Sequence, residues 1–168
     1  MSKTLIGIDN GVTGSIGIIY PDGTSAFIET PVFKELSYTK EKQWIHRIDT
    51  SELIFNLPPA MSAFILLERP MVNPQAFVAS QSALRALEAT LVAIERFGYK
   101  RGESFDYIDS KLWQRKYISS GVMGRDALKE ASKNIGIAMF PNHRTKIEKH
   151  GDADGILIAA YLRDMQVG

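Results

Sequence analysis

Three carboxylates sit where a carboxylate is costly. Asp9 ends the run Lys3 to Asp9 (KTLIGID), Glu68 follows five apolar residues, Ala63 to Leu67, and Asp154 stands just before the apolar run Ile156 to Leu162. A charge at the end of a buried strand carries a large desolvation cost unless it has partners. Strand alternation places Leu5, Gly7 and Asp9 on one face and Ile6, Ile8 and Asn10 on the other. If the strands that end in Asp9 and Glu68 are neighbours, the two acids converge. Like charges about 4 Å apart repel by several kcal/mol at an effective dielectric near 20. A cluster of this kind calls for a cation. With no Cys and only three His (His46, His143, His150) in the chain, the chemistry left is a hard divalent ion, Mg²⁺ or Mn²⁺, on oxygen ligands. Taken singly, Asp9 reads as a turn residue of Asp-Asn-Gly, and Glu68 as an ion-pair partner of Arg69 or Arg85. Together the three argue for a metal. Gly11 and Gly14, just past Asp9, let backbone approach phosphate without a Cβ clash.

The elements that must position these acids follow from periodicity and punctuation. Lys3 to Asp9, Ser15 to Tyr20 and Thr24 to Thr30 read as strands joined by tight turns, the second at Pro21-Asp22-Gly23, which makes an antiparallel meander. Pro31 to Arg47 is polar and mixed, and is expected to be irregular or partly helical. Asp49 to Leu57 reads as a short helix stopped by Pro58-Pro59. Ala63 to Glu68 has the continuous apolar pattern of a central buried strand. Asn73-Pro74 is expected to open a long helix from Gln75 to Phe97 with apolar positions 84, 87, 91 and 94. Ser104 to Ile108 is a further strand. Ser110 is expected to cap a short helix carrying Trp113, whose indole is expected in the core rather than stacked on a base. Arg125 to Ile135 and Asp152 to Arg163 are the last helices. The order predicts an α/β fold, a mixed five-stranded sheet flanked by helices, in one domain over residues 1–168.

Composition sets the remaining limits. The chain has 168 residues, 45% hydrophobic and 23% charged, enough for one core that buries roughly 70% of the unfolded surface. Cysteine-bound zinc, iron–sulfur clusters and disulfides are excluded. No uninterrupted apolar run approaches the ~20 residues of a membrane span, and no signal-peptide pattern opens the chain, so a cytoplasmic protein without membrane contact is expected. The net charge of +1 hides an asymmetry: Glu95 to His150 holds twelve Lys/Arg and seven Asp/Glu, net +5, leaving −4 elsewhere. That division suggests a basic face beside an acidic site.

IGIDNGVTGSIGIIY, FILLERP and KHGDADGILIAAYL, in that order, with SKLWQRK between the last two, resemble the RuvC family of Holliday-junction resolvases, most closely its short phage-type and organellar branch. The likeness runs from about Leu5 to Leu162 and is weakest over Pro31 to Leu57. It implies a ribonuclease-H-like fold and a homodimer that resolves four-way DNA junctions by paired symmetric nicks. It also implies two Mg²⁺ or Mn²⁺ ions per site, with Asp9, Glu68 and Asp154 as metal-binding catalytic acids. Its compartment would be the cytoplasm of a bacterial or phage-infected cell. The sequence departs from the family at Gly151, where a fourth ligand often stands. His150 and Asp152 are the candidates, with His150 slightly favoured because it shares a helical face with Asp154. A second departure is Gly155, often Ala in the family, which implies close packing.

Within the basic segment, Lys111, Arg115 and Lys116 flank the Trp113 turn beside the site and are the candidates to contact the phosphate backbone. By the same resemblance, the segment from Arg69 to Phe77 would enter the junction. Phe77 is a candidate wedge, though inside a helix it fits core packing as well, and the 75–97 helix is a candidate dimer face. Other readings stay open: a flap-debranching or hybrid-cutting nuclease with the same acids, a catalytically inactive junction-binding protein, or an actin-like ATPase suggested by GIDNGVTGS.

Overall fold

The structure, a computed structural model, describes residues 3–166 except 39, 72 and 74. Strands β1 (Thr4–Ile8), β2 (Ser15–Ile19) and β3 (Ser25–Glu29) form the expected antiparallel meander. The next segment differs from its expectation. It forms a hairpin, β4 (Val32–Leu36) and β5 (Trp44–Ile48), paired as a separate two-stranded sheet. Its polar residues obscured a strand pattern that only cross-strand partners such as Leu36 and Trp44 satisfy. Helix α1 (Thr50–Phe55) follows, capped by the Asp49 carboxylate, which accepts from the Ser51 and Glu52 amides.

Strand β6 (Ala63–Glu68) pairs in parallel with β1, and β7 (Phe105–Ile108) pairs in parallel with β6, giving the sheet order β3-β2-β1-β6-β7. Ile8 stands opposite Leu67, so Asp9 and Glu68 leave the sheet side by side at the same end. Between β6 and β7 runs α2 (Phe77–Arg96), which begins two residues later than expected. Pro74, read as part of its opening, lies outside the described residues. The buried stripe of α2 is Ser80, Ala86, Thr90, Ala93 and Ile94, whereas Leu84 is exposed. By length and composition α2 is long and apolar enough to cross a membrane (20 residues, mean hydropathy 1.2), contrary to the expectation that no segment would be. Ala86, Ala93 and Ile94 of its buried stripe pack on the sheet core.

After β7 come α3 (Ser110–Tyr117), α4 (Arg125–Met139), α5 (Arg144–His150) and α6 (Asp154–Gln166). The cap of α3 is Asp109 rather than Ser110, and its side chain makes no capping bond. It accepts from Arg69 instead. Helix α5 has no counterpart in the expected order.

The sheet is buried on both faces. Ile6, Ile8, Ile65 and Leu67 pack toward α1 and α2, while Leu5 and Leu66 pack toward α3 and α6. That explains the unbroken apolar run of β6. On the α6 side backbones nearly touch: a Cβ on Gly7 would lie 2.3 Å from the Ala159 nitrogen, and one on Gly155 would lie 2.4 Å from the Ser15 oxygen. Glycine here lets α6 lie directly on β1 and β2 and fixes where its first turn begins.

Candidate metal centre

The alternation of β1 points Asp9 to the α6 side and Asn10 to the α2 side. Asn10 donates its side-chain amide to the Ala83 carbonyl of α2 at 3.2 Å, which anchors the loop after Asp9. On the other face, ligand oxygens of Asp9, Asp152 and Asp154 all lie within 4.8 Å of one another. The close approach of α6 brings this about. The Gly155 amide donates to Ser15 Oγ at 3.1 Å, which seats the helix start against β2 and holds Asp154 beside Asp9.

Glu68 stands next to this set but outside it. Trp113 Nε1 donates to Glu68 Oε2 at 2.7 Å. Trp113 is itself fully buried, so the core role expected for it holds, and its ring nitrogen also fixes a site carboxylate.

The electrostatics are those of a site short of positive charge. Burial, then repulsion from Glu68, Asp154 and Asp152, pushes Asp9 well above the ordinary carboxylate range. Burial lifts Glu68 to about 7 against the pull of the Trp113 hydrogen bond. Burial and the Asp152 charge lift Asp154 to about 6. Asp152 runs the other way. Its burial would raise it, but hydrogen bonds and charge from His150 and Lys129 outweigh that and hold it low. A divalent cation fits this donor set: three carboxylate oxygens converge, and Asp9 and Asp154 resist ionising beside the charged Asp152.

Of the two candidates for a fourth ligand, the geometry brings in Asp152. A continuous helix would put His150 on one face with Asp154. The chain breaks that helix: α5 ends at His150, Gly151 takes the left-handed conformation (φ 100°), and α6 begins at Asp154. His150 then lies behind Asp152, with Nε2 3.4 Å from Asp152 Oδ1 and its ring edge-on to Phe27.

The other sequence candidates scatter. Lys111 and Arg115 are exposed on α3 and line a small pocket with Ser119 and Ser120. Lys116 is tied to Asp164 at 3.0 Å, which weakens the expectation that it meets phosphate. Arg69 donates from Nε and Nη2 to Asp109 Oδ1, so it is not the partner of Glu68. Phe77 opens α2 and is 67% exposed, so the core alternative weighed for it is wrong. Arg85, the other partner weighed for Glu68, makes no ion pair among the described residues.

Two residues of the centre lay outside the sequence reading. Lys129 Nζ is 3.1 Å from Asp152 Oδ2. Ser132 Oγ donates to Asp154 Oδ1 and accepts from the Ala153 amide. A signal was present: Lys129, Ser132 and Gly136 recur at three- and four-residue spacing on one face of α4. A Cβ on Gly136 would lie 2.2 Å from that of Ala153, so that face presses on the start of α6.

A mixed five-stranded sheet with helices on both faces and acids at the ends of its two central strands is a ribonuclease-H-like architecture. Two solved structures share it over nearly the whole of both chains. The structure of T. thermophilus RuvC in complex with Holliday junction substrate is similar with a TM-score of 0.55 and 14% identity, covering 97% of this chain and 96% of that one. The Thermus thermophilus RuvC structure is similar with a TM-score of 0.51 at the same identity and coverage. At that identity the likeness is one of fold. No family model matches the chain, and no curated protein sequence does.

Proposed function

We propose that this protein is a metal-dependent endonuclease that cuts branched DNA, with the four-way junction as its substrate. The observation that carries the reading is the convergence of Asp9, Asp152 and Asp154, with Glu68 adjacent, on a fold shared with a RuvC bound to junction DNA. Asp9, Asp152 and Asp154 would hold a divalent cation and Glu68 would serve a second. The metal supplies charge to a scissile phosphate and acidifies a bound water.

The chain's own residues prepare that chemistry. Trp113 holds Glu68 in one rotamer, Ser132 orients Asp154, and Lys129 with His150 keeps Asp152 ionised at neutral pH. The exposed Lys111 and Arg115 are available to the DNA backbone. Two copies of the chain would place symmetric nicks that leave 5′-phosphate and 3′-hydroxyl ends. The exposed apolar residues of α2 (Phe77, Val78, Leu84 and Val92) support pairing through that helix. One observation favours a second reading, a junction binder that does not cut: Lys129 already partly neutralises Asp152.

The test is an end-labelled four-way junction incubated with and without Mg²⁺ or Mn²⁺, beside a flap, an RNA–DNA duplex and the Asp9→Asn protein. Paired, metal-dependent nicks on the junction that Asp9→Asn lacks would support resolution. Preferential cutting of the flap or hybrid would reassign the substrate. Tight binding with no cuts would favour the second reading.

A further inference from the structure

The hairpin β4–β5, where the sequence showed no strands, leans on α2 and leaves a groove of about 440 Å³ between them. That volume lies within the roughly 300–1,000 Å³ of small-ligand sites. Its lining includes three basic side chains, His46, Arg47 and Arg85, and no acidic one, while Phe33 and Ile45 give it apolar walls. Arg47 is held by Glu35 at 3.0 Å. Arg85 is exposed and makes no ion pair among the described residues, so its charge is open to a ligand.

The groove also touches the metal centre's own loop. Val12, three residues past Asp9, lines it, and Asn10 binds the Ala83 carbonyl two residues before Arg85. Asp9 faces α6 and the groove lies on the α2 side, so a strand lying on Asp9 reaches the groove by crossing the end of the sheet over the Asp9–Val12 loop. An occupant needs a negative group for Arg85 and a flat apolar part for the walls. A nucleotide has both, and stacking on such walls tolerates any base.

We propose that this groove seats one unpaired nucleotide of the DNA strand that leaves the acid cluster along the Asp9–Val12 loop, its base against Phe33 and Ile45 and its phosphate on Arg85. The proposal rests on the nucleic-acid reading above, but not on cleavage.

The experiment is a metal-free anisotropy titration of the full chain with a short labelled oligothymidylate, and with the same oligomer carrying a run of abasic sites, over a salt series. The wild type is expected to prefer the strand with bases. Arg85→Gln should weaken binding and flatten the salt slope by about 0.7, the value of one single-strand phosphate contact. Ala89→Phe, which fills the groove, should abolish the preference for bases. Arg85→Gln changes only an exposed side chain, so the test stands even if Ala89→Phe fails to fold. An unchanged slope in Arg85→Gln, or no preference for bases in the wild type, overturns the proposal. So does sedimentation showing that either variant splits a dimer, because the groove would then belong to an interface between copies. A protein that fails to cut junctions yet shows the expected slope and preference would sink the nuclease reading and leave the groove standing.

Discussion

Trp113 Nε1 and Glu68 Oε2 are 2.7 Å apart, and the bond links the buried core of α3 to the end of β6. It joins two residues 45 positions apart that carry separate meanings in the sequence. The bond holds Glu68 against burial and against the neighbouring carboxylates, since it is what lowers a group that burial lifts to about 7. Trp113→Phe keeps most of the packing and removes the donor. The carboxylate then loses that hydrogen bond, which costs about 1–3 kcal/mol of stability. Metal affinity or cutting should fall about 10–100-fold, the usual effect of removing a partner of a metal ligand. The pH midpoint of metal-dependent cutting should move to higher pH, because Glu68 becomes harder to ionise. Wild-type titration of Mg²⁺ by the variant, with an unshifted pH profile, would show that the bond has no role in the centre.

The raised carboxylates make stability depend on pH in a definite direction. With no divalent ion present, Glu68 folds with a value of about 7 and Asp154 of about 6, both above their unfolded values. Below about pH 4 each is protonated in both states and contributes nothing. Between that point and neutrality the unfolded chain ionises first, so stability falls as pH rises. Asp152, held low, contributes in the opposite sense and loses its contribution in acid. At about 1.4 kcal/mol per unit, Glu68 alone is worth on the order of 3 kcal/mol, and the coupled acids will not add independently. Thermal melts in chelator should therefore give a higher Tm near pH 5 than near pH 8, with Mg²⁺ restoring the loss at the higher pH. Glu68→Gln should flatten the dependence. A Tm that rises toward pH 8 in chelator would contradict the electrostatic picture of the centre.

Much of this centre is legible in the sequence because strand ends are local features. Asp9 and Glu68 each follow a short apolar run, and alternation along β1 correctly separates Asp9 from Asn10. What the sequence hides is non-local. Asp152 rather than His150 enters the cluster because Gly151 breaks the chain between α5 and α6, and one turn of backbone decides which side chain faces Asp9. Lys129 and Ser132 matter only because Gly136 lets α4 press on Ala153. The β4–β5 hairpin is hidden because its strands are largely exposed, with Ile48 the one buried residue in the ten, so no apolar alternation marks them.

Gly155 offers a test with two opposing effects. Replacing a helical Gly by Ala ordinarily stabilises by about 1 kcal/mol through propensity. Here the new Cβ would lie 2.4 Å from the Ser15 carbonyl oxygen and 2.9 Å from the Ile16 nitrogen, and backbone cannot swing aside as a side chain does. Overpacking of this kind costs typically about 1–3 kcal/mol, so the clash wins and Gly155→Ala should lower Tm by several degrees. Relief of the clash lifts the first turn of α6 off β2 and strains the Gly155–Ser15 bond, so Mg²⁺ affinity should fall as well. A variant as stable as wild type with unchanged metal affinity would mean that α6 does not rest on β2 as closely as the structure has it.

Lys111 and Lys116 lie on the same helix and separate two kinds of basic residue. Lys116 Nζ is 3.0 Å from Asp164 and packs over the Tyr117 and Tyr161 rings, so its charge is already matched. Lys111 makes no ion pair among the described residues and faces the pocket that Arg115 shares. A lysine that neutralises one phosphate of duplex DNA contributes about 0.9 to the slope of log K against log salt. Lys111→Ala should therefore reduce the slope for junction binding by about that amount, while Lys116→Ala leaves the slope near wild type and lowers Tm through loss of the Asp164 network. The opposite pattern, a flattened slope in Lys116→Ala alone, would mean that DNA displaces Asp164 and that the α3–α6 contact opens on binding.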